Sequence, residues 1–322
     1  MLTNYLIIFL TVLLMSAILT HPAVCVTGAA SGLLTWFNSV LPSLFPFMVL
    51  TGLLIRTGAL PLLEKKCKQI PSVRRLPITA IFAVITGLLC GYPMGIRTVS
   101  ELKNSGQLTE RQARTLYSFV NQPGPMFVLG YALPLCGFSS GQEKLFLIAF
   151  YGGVGFTAVL ALTVSRIESC ILRKASVKTS PAAAAPAHIK AQEPAPHFLT
   201  AFEDVLLSSM VTLGKIGGYM MLFSLVAALI KELLPKEPFL CLIFSGILEM
   251  TSGLALVPSA ASVLMIPHFA LAFTAFGGLS VAAQSFSLGG LTTGEQLRYL
   301  LWKAVQAVLT VLSYQLLCFY FL

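Results

Sequence analysis

Glu249 stands inside an apolar run and is followed by Met250, Thr251 and Ser252. A carboxylate at membrane depth is costly, so such a residue marks a functional site by default. It could bind a coupling cation, carry a proton, or contact a substrate hydroxyl or amine. A protonated structural Glu bonded to nearby hydroxyls is the alternative. Lys215 reads as the one cation in mid-helix, with three open roles: facing an anionic substrate, pairing with Glu249, or snorkelling to the interface. The run Asn121-Gln122-Pro123-Gly124-Pro125 is the sharpest local signal. Its prolines remove two backbone donors and Gly124 permits a turn, so a helix should open here with two amides at the gap. Gln284, Ser280 and Ser285 fall about one helical turn apart in a second broken segment, where they line a cavity or join helices by hydrogen bonds. Gly91-Tyr92-Pro93-Met94-Gly95 supplies a further tip. The candidate substrate-binding residues are Tyr92, Pro93, Asn121, Gln122, Gly124, Lys215, Glu249, Thr251, Ser280 and Gln284.

This is chemistry of binding. HExxH, GxSxG and Walker A signatures are missing, and no His/Asp cluster suggests a metal or cofactor, so the expectation is no enzyme and no catalytic or metal residues. A coupling cation or a proton stays open. The seven cysteines show no CxxC and no regular spacing, which argues against a disulfide framework or a zinc site. His21 and His268 lie beside prolines near span ends and read as interfacial, and Trp36 and Trp302 read as interfacial anchors.

The elements that must hold these residues are set by composition. Of 322 residues 56% are hydrophobic and 10% charged, against roughly 25% charged in soluble domains. With a mean hydropathy of +0.85, the chain is neither a soluble enzyme, a disordered protein nor a secreted disulfide scaffold. About 20 apolar residues span a bilayer, and the clear candidates are 2–20, 33–56, 144–167, 205–230 and 300–322. Residues 2–20 lack a basic n-region and read as a retained helix. The stretches 76–104, 111–136, 239–264 and 267–290 are apolar but broken by Gly, Pro and polar residues.

One pattern recurs on either side of an Ala/Pro-rich segment, 175–197. The expected organisation is an N-terminal transmembrane helix (1–25), a first repeat (26–170), a cytoplasmic linker (171–200) and a second, inverted repeat (201–322). Each repeat holds a long helix, a re-entrant helical hairpin, an interrupted transmembrane helix and a closing helix. The fold class is all-α integral membrane protein.

Charge placement supports this arrangement. The net charge of +9 is not a nucleic-acid signal, because the cations sit in short loops between apolar runs. If 76–104 and 239–264 turn back within the bilayer and the N-terminus is cytoplasmic, 17 of the 21 cations fall on the inside, Lys303 among them. Lys144, Lys231 and Lys236 fall outside. A simple span at 76–96 would send one of the flanking basic groups to the wrong side.

Five motifs also carry a resemblance: Val40-Leu41-Pro42-Ser43-Leu44-Phe45-Pro46-Phe47, the Gly91–Gly95 tip, the Asn121-x-x-Gly124-Pro125 break, Gly246-x-x-Glu249-x-Thr251-x-Gly253, and Gly277-Gly278-Leu279-Ser280-Val281-x-x-Gln284. Over about residues 30–320 the chain resembles the YlbJ-type sporulation integral membrane proteins. These belong to the nucleoside-recognition or Gate group, similar to concentrative nucleoside transporters and to the core of ferrous-iron transport proteins. The resemblance implies a multi-pass transporter of the cell membrane or forespore-surrounding membrane of a spore-forming bacterium. The cargo suggested for that family is dipicolinate. The expected partners are a small-molecule substrate, the lipid bilayer, and a second copy or other sporulation membrane proteins. A nucleoside or ion-conducting Gate protein, or a non-transporting sporulation scaffold, are the competing readings.

Overall fold

The computed structural model describes residues 2–57, 62, 65–66, 78–138, 140–176 and 198–321. Among them the fold is helical throughout, with no strand. Of the expected linker 171–200, residues 177–197 lie outside the described residues. Its edges are helix: residues 171–176 end one long helix and 198–200 begin the next.

Helix α1 (Leu2–Thr20) is followed at His21 by α2 (Pro22–Arg56). The second span therefore starts at residue 22 and not at 33. Pro22 sits in the first helical turn, where its missing N–H costs nothing. A π-turn at Trp36–Val40 interrupts α2 just before Pro42.

A helical hairpin follows, α3 (Ile78–Cys90) and α4 (Met94–Asn104). The turn between them needs Gly91, whose φ of +84° favours glycine. α5 (Glu110–Tyr117) starts on a capping box of Thr109 and Gln112. Residues 118–124 are not helical, and the chain resumes as α6 (Pro125–Cys136), again with a π-turn, Val128–Ala132. α7 (Ser140–Ser176) closes the first half.

The second half repeats the order. α8 (Phe198–Leu233) is long. α9 (Pro238–Leu248) and α10 (Met250–Ala260) form a hairpin with Glu249 at its tip. α11 (Ile266–Phe276) and α12 (Gly278–Gly289) are one interrupted helix, parted by Gly277 at φ +83°. α13 (Thr293–Phe321) ends the fold. Among the described residues, five stretches are long and apolar enough to cross a membrane: Pro22–Arg56, Gly141–Cys170, Phe198–Leu233, Ile266–Gly289 and Thr293–Tyr320.

Glycines set the helix crossings. Gly28 and Gly32 lie against Leu225, Ala228, Met220 and Ser224, so α2 and α8 meet at backbone distance. This is a Gly-x-x-x-Gly face, which allows close approach where no hydrophobic effect drives association. Gly153 does the same for α7 against Thr310 of α13. The outer faces, including Tyr5, Phe9 and Leu19 of α1, are exposed and apolar, as surfaces meeting lipid are.

Charged side chains tie one set of helix ends together. Lys103 lies 3.6 Å from Glu110 and 4.0 Å from Glu295, Arg298 pairs with Glu168 at 3.0 Å, and Arg56 pairs with Asp204 at 2.6 Å. Arg97 pairs with Glu101 one helical turn on, at 2.9 Å. Of the two tryptophans expected as interfacial anchors, Trp302 is buried, and Trp36 is partly buried with its ring over Gly217.

Candidate functional site

The two hairpin tips and the two helix breaks meet. Gly91 packs on Gly124, and Gly87 and Gly95 pack on the Val120 carbonyl, so the first tip sits on the first break. Gly278 packs against Leu248, Glu249 and Met250, so the second tip sits on the second break. Tyr92 crosses between them: its ring covers Gly277 and its hydroxyl donates to the Thr274 and Ala275 carbonyls at 3.2 and 3.3 Å.

A helix break inside a membrane is tolerated only where its backbone groups find other partners. Here they do. The Phe119 carbonyl accepts from Gln122 Nε2 at 2.8 Å, and the Asn121 carbonyl accepts from Lys303 Nζ at 3.1 Å. Before the second break, the Thr274 and Ala275 carbonyls accept from the Tyr92 hydroxyl. Asn121 Nδ2 donates to Ser285 Oγ and Tyr299 Oη at 2.9 and 2.8 Å, which binds the first break to the second half of the chain. Its Oδ1 is buried without a partner. Gln122 and Gln306 exchange amide hydrogen bonds of 3.0 and 2.6 Å.

Beside this network lies a cavity of ≈ 50 Å³, walled by Ser43, Tyr92, Pro123, Gly124, Glu249, Thr251 and Gln284 among polar and break residues, with Leu44, Ile216 and Met220 among the apolar ones. A single water needs roughly 10–15 Å³ on this measure, so the space takes a few waters or one small ion. Glu249 is 2% exposed and caps α10. Its Oε2 accepts the Ser252 N–H at 2.7 Å and the Thr251 hydroxyl. Both bonds fall on Oε2, leaving Oε1 as the oxygen available to the cavity. By contrast, the half-helices beginning at Pro125 and Gly278 have no side-chain cap.

Of the sequence-derived residues, Tyr92, Gly124, Glu249, Thr251 and Gln284 line the cavity. Ser280 supports Gln284, accepting from its Nε2 at 3.1 Å. Asn121 and Gln122 lie behind the wall in the network, and Pro93 shapes the first tip as the N-cap of α4. Lys215, for which facing a substrate, pairing with Glu249 and snorkelling are all open in the sequence, does not meet Glu249. The inward stripe of α8 is Leu213, Ile216, Gly217 and Met220; Lys215 falls on the opposite, exposed face, away from Glu249 and the cavity.

Among the described residues, the buried cation is Lys303. Counted by position among the cytoplasmic cations, it is instead 1% exposed, with Nζ 2.9 Å from Tyr92 Oη, 3.1 Å from the Asn121 carbonyl and 3.0 Å from Gln306 Oε1, and 4.9 Å from the centre of the Tyr92 ring. A signal for it exists in the sequence. Tyr299, Lys303, Gln306, Thr310 and Ser313 recur at spacings of four, three, four and three, a polar stripe along one face of an apolar helix, and all are buried.

Five apolar spans, paired helical hairpins and two interrupted helices around a polar interior define a multi-pass helical membrane protein. The chain is similar to the sporulation integral membrane protein YlbJ of Bacillus subtilis (strain 168), 28% identical over 318 residues, covering 89% of this chain and 75% of that protein. The YlbJ-type resemblance read from the motifs thus extends over nearly the whole chain. No protein-family model matches, and no solved structure matches at a significant level.

Proposed function

We propose that this protein moves a small polar or anionic metabolite across a membrane during bacterial endospore formation, as a secondary or facilitated transporter that does not chemically transform its cargo. The observation that carries this reading is the convergence of two helix breaks and two hairpin tips on one cavity. Such an arrangement offers uncapped helix N-termini to an anion and freed carbonyls to a cation, and it is the device that secondary transporters use at the midplane. The similarity to a sporulation membrane protein supplies the biological setting.

Dipicolinate is the cargo we put first. Its two carboxylates suit the uncapped starts of α6 and α12, its ring suits Tyr92 and Phe127, and its polar edge suits Gln284. A cavity of ≈ 50 Å³ does not admit a ring, so in this reading the hairpin tips part to load it and close behind it. Glu249, with one oxygen free toward the cavity, is the group for a coupling proton or cation.

The test is uptake of radiolabelled dipicolinate, with uridine as comparison, into proteoliposomes containing the full chain. Uptake of dipicolinate by the wild type and its loss in Glu249→Gln and Asn121→Ala, both inserted at normal levels, is the expected result. Equal uptake by all three proteins removes the site. Uptake of uridine alone moves the assignment to a nucleoside.

A further inference from the structure

Lys303 is held in an unusual way for a buried ammonium, since its three hydrogen-bond partners are neutral oxygens and none is a carboxylate. Each acts as an acceptor toward Nζ. The Tyr92 hydroxyl has one proton, directed to the Thr274 and Ala275 carbonyls, so it presents a lone pair to Nζ. The Asn121 oxygen is backbone carbonyl. For Gln306 the orientation follows from a chain of bonds: the Phe119 carbonyl can only accept, which fixes Nε2 of Gln122, and Gln122 in turn fixes Gln306 so that its Oε1 meets Nζ. A neutral amine has two donors and a lone pair, and that lone pair would be met only if Tyr92 turned its proton away from the Thr274 and Ala275 carbonyls toward Nζ. An ammonium has three donors and no acceptor, which matches the surroundings bond for bond. The Tyr92 ring face adds cation–π attraction on a further side.

Oxygens from a tyrosine, a helix-break carbonyl and an amide, together with an aromatic face, make the kind of shell that binds a small monovalent cation. We propose that this is a monovalent-cation site at the first helix break, occupied permanently by the chain's own Lys303 ammonium. The tethered cation joins the first hairpin tip, the first break and α13. The proposal deepens the transport reading, since a built-in charge at this position removes the need for a metal ion there in each cycle.

Thermal unfolding of the purified full chain in detergent tests it, in choline, sodium, potassium, ammonium and methylammonium chloride at equal ionic strength. Wild type is expected to melt at one temperature in all five. Lys303→Ala should melt several degrees lower in choline and recover, saturably, in ammonium or methylammonium. Lys303→Met, which fills the space with a neutral chain, should melt low in every salt. If Lys303→Ala yields no folded protein, the Met variant decides by itself: melting with the wild type overturns the proposal. So does a Lys303→Ala protein with no cation-specific recovery. This readout is separate from uptake, so a protein that transports nothing but shows the recovery loses the transport reading and keeps this one.

Discussion

At the residue scale, Glu249 has two separable roles, as cap and as charge. Gln at 249 keeps an acceptor for the Ser252 N–H and loses the charge, whereas Ala loses both. Loss of a side-chain cap costs about 1 kcal/mol, so Glu249→Ala is expected to melt a few degrees below Glu249→Gln, with both deficient in uptake. Differential scanning calorimetry beside an uptake assay checks this, and equal melting of the two variants would show that the cap is not used. The Gln122–Gln306 pair gives a second prediction. Either single change to Leu strands a buried amide, at about 1–3 kcal/mol each. The double change strands neither amide of the pair, although the Phe119 carbonyl and Lys303 Nζ each lose a partner, so a double-mutant cycle should return a cost below the sum. Additive costs would mean that the two amides do not depend on each other.

At the element scale, hairpins dock on helix breaks through glycine. A Cβ at Gly87 would run into the Val120 carbonyl oxygen, whereas one at Gly152 on α7 meets nothing within 4 Å. Forced overpacking costs about 1–3 kcal/mol, while Gly→Ala in an open helix gains up to about 1 kcal/mol. Gly87→Ala should lower the melting temperature and Gly152→Ala should hold or raise it. The opposite order would mean that the first tip does not need its close approach to the first break. The breaks themselves were legible in the sequence because Pro123, Gly124, Pro125 and the Gly277-Gly278 pair act locally, through missing donors and permitted turns. Glu249 was legible because an isolated carboxylate in an apolar run has few explanations.

At the scale of the whole molecule, the long helices pair across the two halves, α2 on α8 and α7 on α13, each through a small-residue contact. Gly32→Leu would push its side chain into the Met220 carbonyl and Ser224 of α8. It is expected to destabilise the protein by more than Leu at Gly155, where there is open space; thermal unfolding in detergent compares them. The two-sided arrangement also has a direct test. In a chain whose native cysteines are replaced, cysteines at Ser105 and Lys236, both exposed, should react with an impermeant maleimide from opposite faces of the membrane. Labelling of both from one face would remove the paired re-entrant hairpins.

The sequence by itself determined what depends on near neighbours: apolar runs long enough to span, places where a helix cannot continue, and a carboxylate with no ordinary reason to be there. Tertiary structure decided what depends on which helix face turns inward. Lys215 looked central and points outward, while Lys303 looked interfacial and is the buried cation. Lys303 lies ten residues into α13, about 15 Å along its axis. Only the approach of Tyr92 and the Asn121 carbonyl, some 200 residues earlier in the chain, supplies the oxygens that let an ammonium stay there. A charge is tolerated in a membrane interior by the partners brought to it, and those partners come from the fold.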